Sequence, residues 1–211
     1  MADDRPQVSA PGFWEGLYAS GEDGWELGSA APPLGAWLDA GGVFPSAPPG
    51  RPARVAVPGC GRGHDARLLA RRGYEVWGFD FAEAAVVEAR ALAAREGVAV
   101  TIEQRDVFTL GRDYPGFFDG VWEYTCFCAI DPDRRDEYAR LLSAILRPGG
   151  ILLACFYPMR DGTDGPPFPV SQPEVERVLA PWFTILDSGP PARSVERRQG
   201  LEWLVRAERR G

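Results

Sequence analysis

Three glycines at alternate positions, Gly59, Gly61 and Gly63, follow a β-branched run at 54–57 and precede an arginine-rich amphipathic segment. Asp80 closes the next apolar run, at the distance of about twenty residues at which an acidic side chain can accept from both hydroxyls of a ribose. Glycine is wanted in such a loop because a side chain would keep the backbone away from a ligand lying over the first strand and the helix N-terminus. The chemistry that this spacing offers is the binding of a nucleoside-containing cofactor. The dinucleotide fingerprint G-x-G-x-x-G needs glycine at its sixth position, and counting from Gly59 places His64 there. A nicotinamide dinucleotide is therefore disfavoured.

The elements that must position these residues alternate along the chain. Strands are predicted at 54–57, 74–79, 99–104, 118–123 and 150–157, with helices at 64–72, 82–96 and 133–146 between them. Such alternation predicts an α/β, Rossmann-like, doubly wound and mostly parallel sheet with helices on both faces. RPGG at 147–150 reads as a helix stop ahead of a strand, DGTDGPPFPV as a long loop, and 173–180 as a short helix. Two last strands, near 182–187 and 201–207, close a seven-stranded sheet. Ahead of this core, residues 1–10 are expected to be disordered, a helix runs from about Phe13 to Ser20, and a second follows Pro32 and Pro33. Gly41 to Pro52 is a Gly/Pro/Ser linker, so residues 1–50 read as an N-terminal helical lid with its linker and 51–211 as the catalytic core of a single domain.

Open α/β sheets bind their ligands at the carboxyl ends of the strands. Candidate residues are therefore Pro58 to Gly63, Asp80, Asp106, Glu123 to Cys128, and Tyr157 onward. Asp106 admits two readings, a turn cap or an acceptor for an adenine amino group with Val107 packed on the ring. His64, the sole histidine, stands at a helix start, where a loop or capping role competes with that of a general base. Cys60, Cys126, Cys128 and Cys155 fall in or beside strands and loops and read as reduced thiols. C-x-C at 126–128 lacks both the usual zinc-ligand spacing and a second ligand pair, so no metal is expected.

Composition narrows the partners. The chain has 211 residues, is 45% hydrophobic and 25% charged, and carries a formal charge of -7, its 23 basic residues all being arginine. An acidic chain without a concentrated basic stripe is poorly suited to nucleic acid, whose phosphates must be neutralised. No apolar run approaches the roughly 18 residues of a membrane span, and MADDRPQV is acidic where a signal peptide would be basic. A cytoplasmic protein that acts as a monomer on a small-molecule or anion substrate is expected.

The G-x-G-x-G loop resembles the first motif of class I methyltransferases, which bind S-adenosylmethionine. The segments FWEGLY, GWELG, VPGCGRGHD, GFD, RDVF, WEYTCFCAIDP, LRPGG and FYPMRDGTDGPPFPV occur in that order from Phe13 onward. Together they resemble the thiopurine S-methyltransferase family, particularly its halide and thiol methyltransferase branch. VPGCG, EYTCFCAIDP and the GPPF loop are the specific parts. Carried over by motif, the resemblance implies cofactor contacts from Trp14, Tyr18, Trp25, Gly59, Asp80, Asp106, Val107 and Tyr124, with S-adenosyl-L-homocysteine as product. Tyr18 departs from the pattern, standing where many relatives carry tryptophan. Read without the resemblance, Trp14, Tyr18 and Trp25 are better explained by core packing. The acceptor pocket implied is Tyr157, Tyr124, Phe127 and Cys128, with Phe168 as a further wall and no general base. A soft anion such as iodide, bromide, bisulfide or a thiolate has no proton to lose in the step. The alternatives are a thiopurine-like or other small-molecule S-, O- or N-methyltransferase, and a non-catalytic S-adenosylmethionine-binding protein.

Overall fold

The computed structural model describes residues 7–211; part of the segment expected to be disordered, residues 1–6, lies outside them. Residues 7–10 do not match that expectation: Val8 is buried, and its carbonyl accepts the indole N–H of Trp14 at 2.8 Å.

Seven strands form one sheet in the order β3-β2-β1-β4-β5-β7-β6. They are β1 Arg54–Pro58, β2 Glu75–Asp80, β3 Thr101–Gln104, β4 Phe118–Tyr124, β5 Leu146–Phe156, β6 Phe183–Gly189 and β7 Trp203–Arg209. The first five run parallel, and β7 is antiparallel to both of its neighbours, β5 and β6. The order reverses direction at β1, so the ends of β1 and β4 open a crevice at the switch point, where such sheets bind ligands.

Helices α1 Pro11–Ser20 and α2 Pro32–Asp39 precede the sheet, and each begins on proline, whose missing N–H costs nothing in a first turn. Next come α3 His64–Arg71, α4 Glu83–Glu96, α5 Leu110–Asp113, α6 Arg135–Ile145 and α7 Gln172–Leu179. The period-2 alternation of β5 assigns them to faces. Leu152, Ala154 and Phe156 pack in one core with residues of α5, α6 and α7. Ile151, Leu153 and Cys155 point the other way, into a core shared with α2, α3 and α4.

Several boundaries differ from the sequence reading, for identifiable reasons. RPGG is not a stop outside the strand but an excursion within β5. Phe118 pairs with Leu146 and Gly120 with Ile151, so residues 147–150 are extruded from the ladder. Pro148 has no N–H to pair, and Gly149 sits at φ 70°. Residues 107–113, for which no element is predicted, form a 3-10 turn capped by Asp106 and then the single turn of α5. The Gly/Pro-rich stretch after α2 is tacked down rather than loose. Phe44 is buried against Trp37 and Tyr74, and a Cβ at Gly120 would fall 2.2 Å from its ring, so glycine is required there for close approach.

Candidate functional site

A cavity of about 500 Å³ opens at the carboxyl ends of β1, β2 and β4, within the size range of small-molecule sites. Trp14, Tyr18, Trp25, Gly59, Asp80, Asp106, Val107, Cys128 and Tyr157 all line it, so nine of the eleven candidate residues converge on one space.

Its floor is the glycine loop. Gly59 has φ 59°, and a Cβ there would come 2.9 Å from the Cβ of Cys126, so both the conformation and the close approach of the β4 end demand glycine. Asp80 is buried and braces this loop across the β1–β2 junction. Its Oδ2 accepts the Gly61 N–H at 2.8 Å and its Oδ1 accepts the Ala82 N–H at 3.0 Å. Burial raises its carboxyl above the usual range, against the pull of those N–H groups. Asp106 is a cap, its Oδ1 accepting the Phe108 N–H at 2.9 Å, and it also lines the cavity, so its two readings coexist.

One wall belongs to α1 and the loop after it. Trp14 and Trp25 meet edge to face at 5.5 Å, as do Tyr18 and Trp25. None of the three belongs to either core, and α1 buries no residue fully. What holds this segment is polar. Glu15 accepts N–H groups of Glu83 and Ala84 at the start of α4, where a carboxylate complements the helix dipole. Arg62 of the glycine loop pairs with Asp23, Glu26 and Glu88. His64 lies inside α3, whose N-cap is Gly63, so it is not a cap. Its ring instead meets Glu26 Oε1 at 3.0 Å and Arg67 at 2.9 Å, adding a further tie to the N-terminal segment.

Two of the candidates lie elsewhere. Phe127 does not line the cavity; it is 3% exposed and packs on Phe156 and Tyr138 in the core. The cause is Glu123, also buried, whose Oε1 accepts the Phe127 N–H and whose Oε2 accepts the Tyr138 hydroxyl, each at 2.8 Å, folding the segment inward. Burial pushes the Glu123 carboxyl up to about 7. Tyr124 faces a smaller neighbouring cavity, with Trp122, Asp65 and His64. Its hydroxyl accepts from Arg198 Nη1 and donates to Glu202 Oε1, both at 2.6 Å, so it is not a free donor to an acceptor. Phe168 is buried too, its N–H bonded to the Cys128 carbonyl at 2.7 Å, and the prolines beside it, Pro166 and Pro167, form the wall instead. The four cysteines are free, and burial pushes the Cys128 thiol up to about 12, which leaves it a neutral wall rather than a nucleophile.

The sequence reading held Thr125 only as part of the strand-end stretch Glu123 to Cys128, with no role of its own, and missed Arg198. Thr125 has φ 66°, the one non-glycine residue among those described in the left-handed region, and it lines both cavities. A β-branched residue held there is strained, which marks a turn fixed by its surroundings at a ligand-facing position. No local sequence signal announces it. Arg198 comes from the loop between β6 and β7, far in sequence from every motif, and reaches the cavity by tertiary packing.

These residues suit an adenosine-bearing sulfonium: a glycine cradle beside a buried aspartate, a second aspartate with an apolar neighbour at the β3 end, and a wall of aromatic faces. Similarity to known proteins agrees with the geometry. Thiocyanate methyltransferase 1 of Brassica oleracea is 32% identical over 204 residues, covering 95% of this chain and 86% of that protein. The thiopurine S-methyltransferase of Pseudomonas entomophila is 30% identical over 187 residues, covering 82% and 83%. Among solved structures, the 1,6-didemethyltoxoflavin-N1-methyltransferase of Burkholderia thailandensis, with bound 1,6-didemethyltoxoflavin and S-adenosylhomocysteine, superposes with a TM-score of 0.74 at 29% identity over 96% of this chain and 87% of that one. Residues 9–207 match the family model of thiopurine S-methyltransferase, and the chain belongs to that family.

Proposed function

We propose that this protein methylates a halide ion or a small thiol or bisulfide by in-line displacement. S-adenosylmethionine-dependent methyl transfer is the chemistry of its family. When bound, S-adenosylmethionine supplies a methyl group on a positively charged sulfur. Gly59, Asp80, Asp106 and Val107 would hold its nucleoside, while Trp14, Tyr18 and Trp25 cover it and exclude water. The Tyr124 side chain faces the smaller cavity alongside the glycine loop, which shares Trp25, Gly59 and Thr125 with the main one.

The observation that carries the acceptor class is the composition of the cavity wall. Its lining includes neither histidine nor lysine, and Asp80 and Asp106 are engaged with backbone N–H groups. Tyr157, Cys128, Thr125, Pro166 and Pro167 leave an acceptor end suited to a nucleophile that arrives already deprotonated. Catalysis then consists of positioning and desolvation. A second reading, a heterocyclic or larger thiol acceptor, is favoured by the heterocycle held in the Burkholderia structure. Headspace gas chromatography with iodide, bromide, chloride, bisulfide, thiocyanate and methanethiol, run beside a thiopurine, separates the two. Methyl halide or methyl sulfide is the expected product; turnover of the thiopurine alone would replace the first reading by the second.

In this proposal residues 1–50 are the lid and linker of a single catalytic domain, and the protein works as a cytoplasmic monomer. No helix among the described residues is long and apolar enough to cross a membrane. The lid reading rests on half-buried aromatics in a helix that buries no residue fully, held to the core by partly buried ion pairs rather than by apolar packing. Hydrogen exchange over residues 13–29 is expected to slow on adding S-adenosylhomocysteine. Protection already high and unchanged by the ligand would make these aromatics a fixed wall.

A further inference from the structure

The loop of residues 157–171 joins β5 to α7 and contributes Pro166 and Pro167 to the acceptor end of the cavity. No helix and no strand falls within it, so no regular element fixes where those prolines stand. Residues 160–164 are exposed, whereas Phe168 and Val170 are each 2% exposed. The turn between them is tight: a Cβ at Gly165 would fall 2.5 Å from the Phe168 ring, so the chain doubles back on that ring. The placement of the two prolines therefore follows from how the chain is anchored at 168–170.

Arg135 supplies that anchor. It is the first residue of α6 and is 2% exposed. A cation is unfavourable both at a helix N-terminus and away from water, so a guanidinium in this place needs strong compensation. Glu174 of α7 gives part of it, accepting from Nη1 at 2.8 Å. The rest comes from the loop, where Nη1 also donates to the Pro169 carbonyl at 2.9 Å and Nη2 to the Phe168 carbonyl at 3.3 Å. The guanidinium lies 4.7 Å from the centroid of the Phe127 ring, and its Nε has no hydrogen-bond partner among the described residues. The fork is thus aimed by the loop carbonyls and the ring rather than by the greatest number of bonds. Two backbone bonds complete the anchor: the Cys128 carbonyl accepts the Phe168 N–H at 2.7 Å, and the Pro158 carbonyl accepts the Val170 N–H at 3.0 Å. Phe127 and Cys128 belong to the turn after β4, so Arg135 joins that turn and the loop into one wall.

We propose that Arg135 is a positioning residue that limits the size of the acceptor: through the carbonyls of Phe168 and Pro169 it holds Pro166 and Pro167 in place as the wall of the acceptor end. Arg135 does not itself line the cavity and acts through the loop. The inference rests on the proposed methyl transfer and deepens it, since it gives a reason for a small nucleophile to be preferred over a large one. A wall held at several points keeps water from an anion and offers little room to an aromatic group, whereas a wall that yields does neither.

The test uses the full chain with three substitutions. Arg135→Met keeps volume and removes the fork, Arg135→Lys keeps the charge but cannot reach both carbonyls, and Glu174→Gln removes the ion pair and leaves both loop bonds. Hydrogen exchange reads the anchor without turnover. In Arg135→Met, exchange over residues 165–171 is expected to speed by about tenfold or more, with the rest of the sheet unchanged. The ratio of kcat/KM for benzyl mercaptan to that for methanethiol is expected to rise about tenfold, chiefly through KM. Both are alkylthiols, so the change of ratio between variants does not depend on ionisation. S-adenosylhomocysteine affinity, read by calorimetric titration, should stay within about threefold. Arg135→Lys should fall between wild type and Arg135→Met, whereas Glu174→Gln should keep the wild-type ratio. A merely structural arginine would instead speed exchange throughout α6 and the sheet, lower Tm in Glu174→Gln as much as in Arg135→Met, and leave the ratio where it was. That pattern, or unchanged exchange over 165–171 in Arg135→Met, overturns the inference; so does a wild-type ratio in Arg135→Lys where Arg135→Met fails to fold. Faster loop exchange in a protein that methylates neither a halide nor any thiol upholds the anchor and removes the proposed reaction instead.

Discussion

Asp80→Ala is expected to weaken S-adenosylhomocysteine binding by about 10- to 100-fold, the equivalent of about 1.5–3 kcal/mol for hydrogen bonds to a charged group. Two separate losses contribute. The carboxylate would accept from the ribose, and in the fold it already holds the Gly61 and Ala82 N–H groups, so its removal also releases the glycine loop. Asp80→Asn separates the two. Its carbonyl oxygen can keep the Ala82 bond, but its NH2 group would face the Gly61 N–H as a second donor. Asn is therefore expected to recover some Tm relative to Ala and little affinity. Calorimetric titration with S-adenosylhomocysteine, alongside thermal unfolding, measures both. An unchanged dissociation constant in the alanine variant would remove Asp80 from the site.

Asp80 was legible in the sequence because its signal is local: a glycine loop, a helix, a second strand and an acid at a fixed distance. The doubly wound sheet was legible for the same reason, since each strand and helix carries its own period. The ends of β5 and the excursion at 147–150 were not, because they depend on which residues of β4 face them. The same distinction separates the site residues. Trp14, Tyr18 and Trp25 fall in motifs, and the cavity wall is where the chain brings them. Phe127 sits in an equally good motif but alternates with Cys126 and Cys128, and the buried Glu123 turns it into the core. Tyr124 is a strand-end aromatic as expected, yet its hydroxyl is claimed by Arg198, about seventy residues later in the chain. Tertiary hydrogen bonds of that range leave no mark on local sequence. The strain at Thr125, and the burial of Arg198 without an ion pair to any described residue, could be seen only once the fold had brought the segments together.

The rate of methyl transfer to a simple alkylthiol is expected to rise near tenfold per pH unit below the thiol pKa of about 8.5, while transfer to iodide does not share that slope. Iodide has no proton to lose, and a thiol reacts as its thiolate. The enzyme has a titration of its own in this range, because burial places the Glu123 carboxyl at about 7, two residues from Thr125 in the cavity wall. Its sign follows from the direction of the shift. A carboxyl raised in the folded state keeps its proton where the unfolded chain has lost it, so this group's contribution to stability falls as pH rises from the ordinary carboxyl range through about 7. Any effect of Glu123 on the wall acts on both acceptors alike. The ratio of kcat/KM for the thiol to that for iodide therefore cancels it and isolates ionisation of the acceptor. Measured from pH 6 to 9, the ratio should climb with the thiolate fraction and level off above the thiol pKa. A flat ratio, with both acceptors rising at unit slope, would assign the proton to an essential base on the enzyme. Positioning and desolvation would then be insufficient, and a carboxylate of the cavity wall would have to serve as the base.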